Sequence, residues 1–124
     1  MFTYNPKAEF EHVMKVIQSG HEEPANVYED GLTSCSKLEN ECRKLAEENR
    51  FDWNNILKDA EKMMEENIGD ILPALSSLSK FTGRNDPRIN EHVKEDYLKS
   101  LECFVLTARG YIDPRLQYAK SKNH

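Results

Sequence analysis

The chain has 124 residues, 31% of them charged and 38% hydrophobic, with a formal net charge of −5. That length suits one domain over residues 1–124 with a single core, and the helical ordering of its apolar residues argues against disorder. No apolar run nears the roughly 20 residues that span a bilayer, and Met1-Phe2-Thr3-Tyr4-Asn5-Pro6 has neither the basic start nor the apolar stretch of a secretory signal.

The first helix is expected from Asn5 as N-cap, with Pro6 at the first helical position and Gly20 as the terminator. Phe10, Val13, Met14 and Ile17 give it one apolar face, and Val16 falls off that face. After the polar link His21-Glu22-Glu23 and Pro24, a second helix carries Tyr28, Leu32, Cys35, Leu38, Cys42 and Leu45. Those positions recur about every 3.5 residues, the period of a coiled-coil seam, which also suits closing a homodimer. Gly31 is expected to fray or break this helix near its start, and Ser36 with Glu39 offers an alternative capping box.

The third helix is expected from an N-cap at Asp52 along the stripe Trp53, Ile56, Leu57, Ala60, Met64, Ile68, Ile71, Leu75 and Leu78. Pro73 would kink it around Gly69–Pro73, and Gly83 would close it. Asp86-Pro87 opens a fourth helix with Tyr97, Leu101, Phe104 and Ala108 on one face, and Gly110 is expected to end it. Asp113-Pro114 repeats the same start and predicts a short C-terminal helix. No segment alternates with the period of a strand. The expectation is an all-α, antiparallel four-helix bundle with a kinked third helix and a short C-terminal helix.

Charge is uneven along the chain. Residues 1–70 hold 16 acidic and 8 basic side chains, and residues 71–124 hold 6 and 9. An acidic front and mildly basic back suit a partner surface, although such charges ordinarily solvate helix faces. The three cysteines, Cys35, Cys42 and Cys103, include no C-x-x-C pair, which argues against a disulfide framework or a zinc site. Cys35 and Cys42 are seven apart on one helix, roughly 10 Å at the Cα atoms, beyond the reach of a bridge. A reducing cytoplasm is the expected compartment.

Carboxylates concentrate on the second and third helices. Glu61/Glu65 and Glu66/Asp70 are i, i+4 pairs, and carboxylates from two neighbouring helices can chelate Mg²⁺, which takes oxygen ligands. The segment Glu65-Glu66-Asn67-Ile68-Gly69-Asp70-Ile71-Leu72 resembles the metal-binding helix of the MazG-like all-α nucleotide pyrophosphohydrolases, and Lys37-Leu38-Glu39-Asn40-Glu41 is similar to their first acidic helix. The resemblance covers about a third of the chain. It implies that Glu39, Glu65, Glu66 and Asp70 hold Mg²⁺ and a general-base water. The chain departs from the family where its Glu-Glu-x-x-Glu cluster should stand, and Glu66 to Asp70 is one residue longer than Glu-x-x-Asp, which re-aims the ligand by about 100°.

Other chemistry is thin. The histidines His12, His21, His92 and His124 form no metal-binding pattern, and Arg88 to His92 is one residue shorter than the Arg-x-x-x-x-His signature of HEPN-type helical domains. Cysteine catalysis lacks a base in a recognisable arrangement. Arg84, Arg88, Arg109, Arg115, Lys120 and Lys122 make the second half mildly basic, but a pI near 5.4 argues against nucleic acid as the partner. Met14, Met63 and Met64 supply adaptable apolar surface. The expected function is therefore a non-enzymatic protein–protein interaction module, an adaptor, inhibitor or regulatory subunit. It would use helix faces and an acidic surface, with Glu61, Met63, Glu65, Arg84 and Arg88 at the contact and no cofactor. The alternative is the divergent Mg²⁺-dependent pyrophosphohydrolase.

Overall fold

The computed structural model describes residues 7–19, 22–66 and 91–122. Helix accounts for 91% of those residues, and no strand occurs among them. Four helices are described: α1 (Lys7–Gln18), α2 (Ala25–Glu48), α3 (Trp53–Glu66) and α4 (Glu91–Lys122). None is long and apolar enough to cross a membrane. The expected caps at Asn5, Gly20 and Asp86, the kink at Gly69–Pro73 and the close at Gly83 lie outside the described residues.

Contacts between distant residues fix how the helices run. On α1 and α2, Glu9 meets Lys37 and His12 meets Ser34, so these two are antiparallel. On α2 and α4, Glu22 near the start of α2 pairs with Lys122, Glu39 with Arg109, and Cys42 with Leu98, again antiparallel. Phe10 of α1 lies 4.6 Å from Phe104 of α4, ring centroid to centroid, and Lys99 joins α4 to Asp59 of α3 at 2.9 Å. The expected all-α bundle is what these contacts build, with α4 packed against α1, α2 and α3 alike.

Local contacts fix both ends of α2 and the start of α3. Pro24 begins α2 with no side-chain cap of its own. Instead the Glu23 N–H donates to the hydroxyl of the fully buried Tyr28 at 3.1 Å, which anchors the entry to the core. At the far end, Phe51 N–H donates to the Ala46 carbonyl and Arg50 N–H to the Glu47 carbonyl. This pair of bonds is a Schellman close, with Arg50 at φ 60° in the position glycine usually fills. Asp52 then caps α3 as expected, its Oδ1 accepting from the Asn54 N–H at 3.0 Å.

Two glycines behave differently from the sequence expectation. Gly31 neither frays nor breaks α2, which runs unbroken for 24 residues, so the alternative start at Ser36 is not used. A Cβ at Gly31 would stand 3.0 Å from Val16 Cγ1 and 3.2 Å from Ile112 Cδ1. Glycine is there to let α1 and α4 close on α2. Val16, off the expected stripe, is buried at that crossing, while Leu32 on the expected seam is only half-buried.

Gly110 does not end α4, and Asp113-Pro114 does not start a separate helix. One helix of 32 residues runs through both, with Pro114 inside it. The reason is burial. Leu101, Val105, Ala108, Ile112, Leu116 and Ala119 continue one buried stripe across the break signals, and its packing outweighs the backbone cost of glycine and proline on the exposed side.

Candidate functional site

From Tyr97 to Ala108, α4 is buried on nearly every side, and Glu102 in that stretch is 0% exposed. A carboxyl removed from water is costly unless it is paired or neutral. Neither Oε1 nor Oε2 of Glu102 makes a hydrogen bond among the described residues. The Glu39 carboxyl of α2 is its acidic neighbour and acts on it. Glu39 Oε2 accepts from Arg109 Nη1 at 2.8 Å, and Arg109 Nη2 reaches Ser36 Oγ at 3.4 Å.

The electrostatics follow from this placement. Burial, helped by the facing Glu39, pushes Glu102 up to about 9, against the weaker pull of Arg109 and Arg43. At neutral pH it is an uncharged acid. For Glu39, partial burial acts upward, but the Glu102 carboxyl and the Arg109 guanidinium outweigh it and hold Glu39 below the ordinary carboxylate range. Burial acts against the Arg109 charge, and Glu39 more than restores it. The cluster thus holds one carboxylate, one carboxylic acid and one guanidinium.

Three thiols surround this cluster. Burial pushes Cys35 up to about 11, with Arg109 opposing, and burial together with Glu102 and Glu39 raises Cys42 well above the usual thiol range. Cys103 is raised by burial as well. Reactive cysteines need the opposite shift, toward the thiolate. These three serve as small packed apolar groups, as expected for Cys35 and Cys42 on the seam. Cys42 Sγ donates to the Leu98 carbonyl at 3.4 Å.

The residues singled out by sequence fall in separate places. Glu61, Glu65 and Glu66 are exposed on α3. Met63 is half-buried and packs against the core. Glu39 is turned toward α4 and taken up by Arg109. Asp70, Arg84 and Arg88 lie outside the described residues. Among the described residues no group of three or more His, Cys, Asp or Glu side chains is arranged to hold a metal ion. His12 is half-buried and bonds through Nδ1 to Ser34 Oγ at 2.6 Å, tying α1 to α2. Glu102 escaped the sequence reading. Its signal was a lone carboxyl in Leu101-Glu102-Cys103-Phe104-Val105-Leu106, where every neighbour is apolar.

One surface feature stands out. Tyr111 and Tyr118, 38% and 54% exposed, are the exposed large hydrophobic residues among those described. Seven residues apart, they lie on one face of α4. The Arg115 guanidinium stands 4.1 Å from the Tyr111 ring centroid and donates to the Tyr111 carbonyl at 2.6 Å. Lys122 Nζ lies 5.9 Å from the Tyr118 ring and 3.4 Å from Glu22 Oε1. Comparison of the chain with protein families, with curated proteins and with solved structures finds no match.

Proposed function

We propose that the chain is a non-catalytic protein-interaction module that receives an acidic segment of a partner protein along the C-terminal half of α4. The observation that carries this reading is the Tyr111–Tyr118 pair. Two amphipathic rings stand exposed on one helix face, a composition favoured where proteins meet. The ground around them carries a small cationic excess, with Arg115, Lys120 and Lys122 against Asp113 and against Glu22, which pairs with Lys122, in a chain of net charge −5. An acidic partner fits that sign, and the rings add apolar area beside the charges. The solvent faces of α2 and α3, with Glu61 and Glu65 among their exposed acids, disfavour anionic polymers and so add selectivity. Three buried cysteines without disulfides suit a reducing cytoplasm.

The test is a pull-down from lysate of the source cells at low and moderate salt, using the wild-type chain and Tyr111→Ser/Tyr118→Ser, with circular dichroism to establish that both are folded. An acidic protein retained stoichiometrically, weakened by salt and lost from the double variant is the expected outcome. Equal retention by both proteins would place the contact elsewhere. A wild-type chain that retains only further copies of itself in sedimentation would replace the partner with a homo-oligomer.

A further inference from the structure

We propose that Glu39 and Glu102 form a proton-held clasp between α2 and α4, and that loss of the shared proton loosens this seam. The argument begins with the number of charges the cluster can support. Arg109 is committed to Glu39 at 2.8 Å, and one guanidinium neutralises one carboxylate. Glu102 is 0% exposed and has no hydrogen-bond donor on either oxygen among the described residues. A second carboxylate there would be buried, unpaired and set against a like charge. The proton is what allows the two carboxyls to face each other at all, the arrangement that forces any close carboxyl pair to titrate in two separated steps.

The surrounding cations relieve that charge only in part, for burial and Glu39 outweigh Arg109 and Arg43. From α2, Glu39 and Arg43 act on Glu102, and Cys35 and Cys42 are near enough to feel it. From α4 itself, Arg109 and Cys103 are the neighbours. On α3, Asp59 is tied to Lys99, and on α1, His12 is bonded to Ser34 while Glu9 faces Lys37. The thiols stay protonated, for burial raises all three.

The direction of the pH effect follows. Glu102 is raised from 4.5 to about 9 in the folded chain. Between those values the unfolded chain has released a proton that the folded chain keeps. Stability from this group is therefore complete below about 4.5 and falls as pH rises through about 9. Within that window each pH unit changes the folding constant by up to about tenfold.

The experiment compares urea unfolding of the full wild-type chain and of Glu102→Gln from pH 5 to pH 9. Glutamine keeps the shape and supplies a donor but cannot ionise. Titrations common to both proteins cancel in the difference. The wild type is expected to lose stability relative to the variant as pH rises, by on the order of a hundredfold or more in folding constant across the range. Parallel profiles would overturn the clasp. Infrared spectroscopy of the wild-type chain with ¹³C-labelled glutamate gives a second reading that needs no variant to fold. A protonated carboxyl band at pH 7 that vanishes only at alkaline pH is expected. Carboxyl titration complete by pH 6 would refute the proposal even if Glu102→Gln proved unfoldable.

Discussion

Arg50 shows how a single residue records a compromise. The turn between α2 and α3 needs one residue with positive φ to complete its two backbone bonds, and Arg50 takes it at φ 60°. An L-residue there carries roughly 1–2 kcal/mol of steric cost that glycine lacks. Glycine gives part of this back through its greater freedom in the unfolded chain. Arg50 is exposed, so Arg50→Gly is expected to stabilise the fold by about 0.5–1 kcal/mol net. Thermal unfolding checks it, and a lower melting temperature would show that the side chain contributes more than the strain removes. At this scale the sequence was a poor guide to the candidate site. Arg50 offers no turn signature, since the left-handed conformation is imposed by the helices on either side. Glu102 looks like any helical glutamate until α2 is seen to cover it. The cap at Asp52, by contrast, was legible: its carboxylate binds the Asn54 N–H because the bond is local and depends on no distant partner.

At the scale of the element, two glycines in helices make a matched experiment. Gly110 is exposed, and a Cβ there would meet nothing within 4 Å. Gly110→Ala is expected to stabilise α4 by roughly 0.5–1 kcal/mol, the propensity difference alone. Gly31 sits where α1 and α4 press on α2, with Val16 Cγ1 only 3.0 Å from the new methyl. Valine is stiff at χ1 and cannot turn aside, so Gly31→Ala is expected to destabilise by about 1–3 kcal/mol. Denaturant midpoints of the two variants should move in opposite directions, and a shared direction would contradict the packing described at Gly31. The same contrast explains which helix ends were legible. Periodicity identified α1, α2 and the first part of α3 because their apolar faces are one-sided. For α4, Gly110 and Asp113-Pro114 are strong local stop and start signals, and they are overridden by Ile112, Leu116 and Ala119, which bury the continuing stripe. Local preference costs about 1 kcal/mol for the glycine and about 3 kcal/mol for the proline, and burial of Ile112 and Leu116 contributes roughly 1.5–3 kcal/mol each.

At the scale of the whole molecule, the helical class was readable from periodicity, while the central place of α4 was not. A helix buried on most sides shows little one-sidedness, and the polar residues it buries, Ser100, Glu102 and Thr107, weaken the pattern further. That central place also has a temporal side. The α1–α2 contact between His12 and Ser34 spans 22 residues of chain, whereas the α2–α4 contacts at Cys42–Leu98 and Glu39–Arg109 span 56 and 70. Closing the longer loops costs roughly 1 kcal/mol more in chain entropy, so the α1–α2 hairpin is expected to assemble before α4 docks on it. His12→Ala should then slow refolding, and Leu98→Ala should chiefly speed unfolding, as measured by stopped-flow kinetics across a denaturant series. If Leu98→Ala carries its effect in the refolding limb instead, α4 belongs to the nucleus. The expected order leaves the acid at Glu102 exposed to water until the last step of folding, so the pH at which the chain folds sets how readily that step is completed.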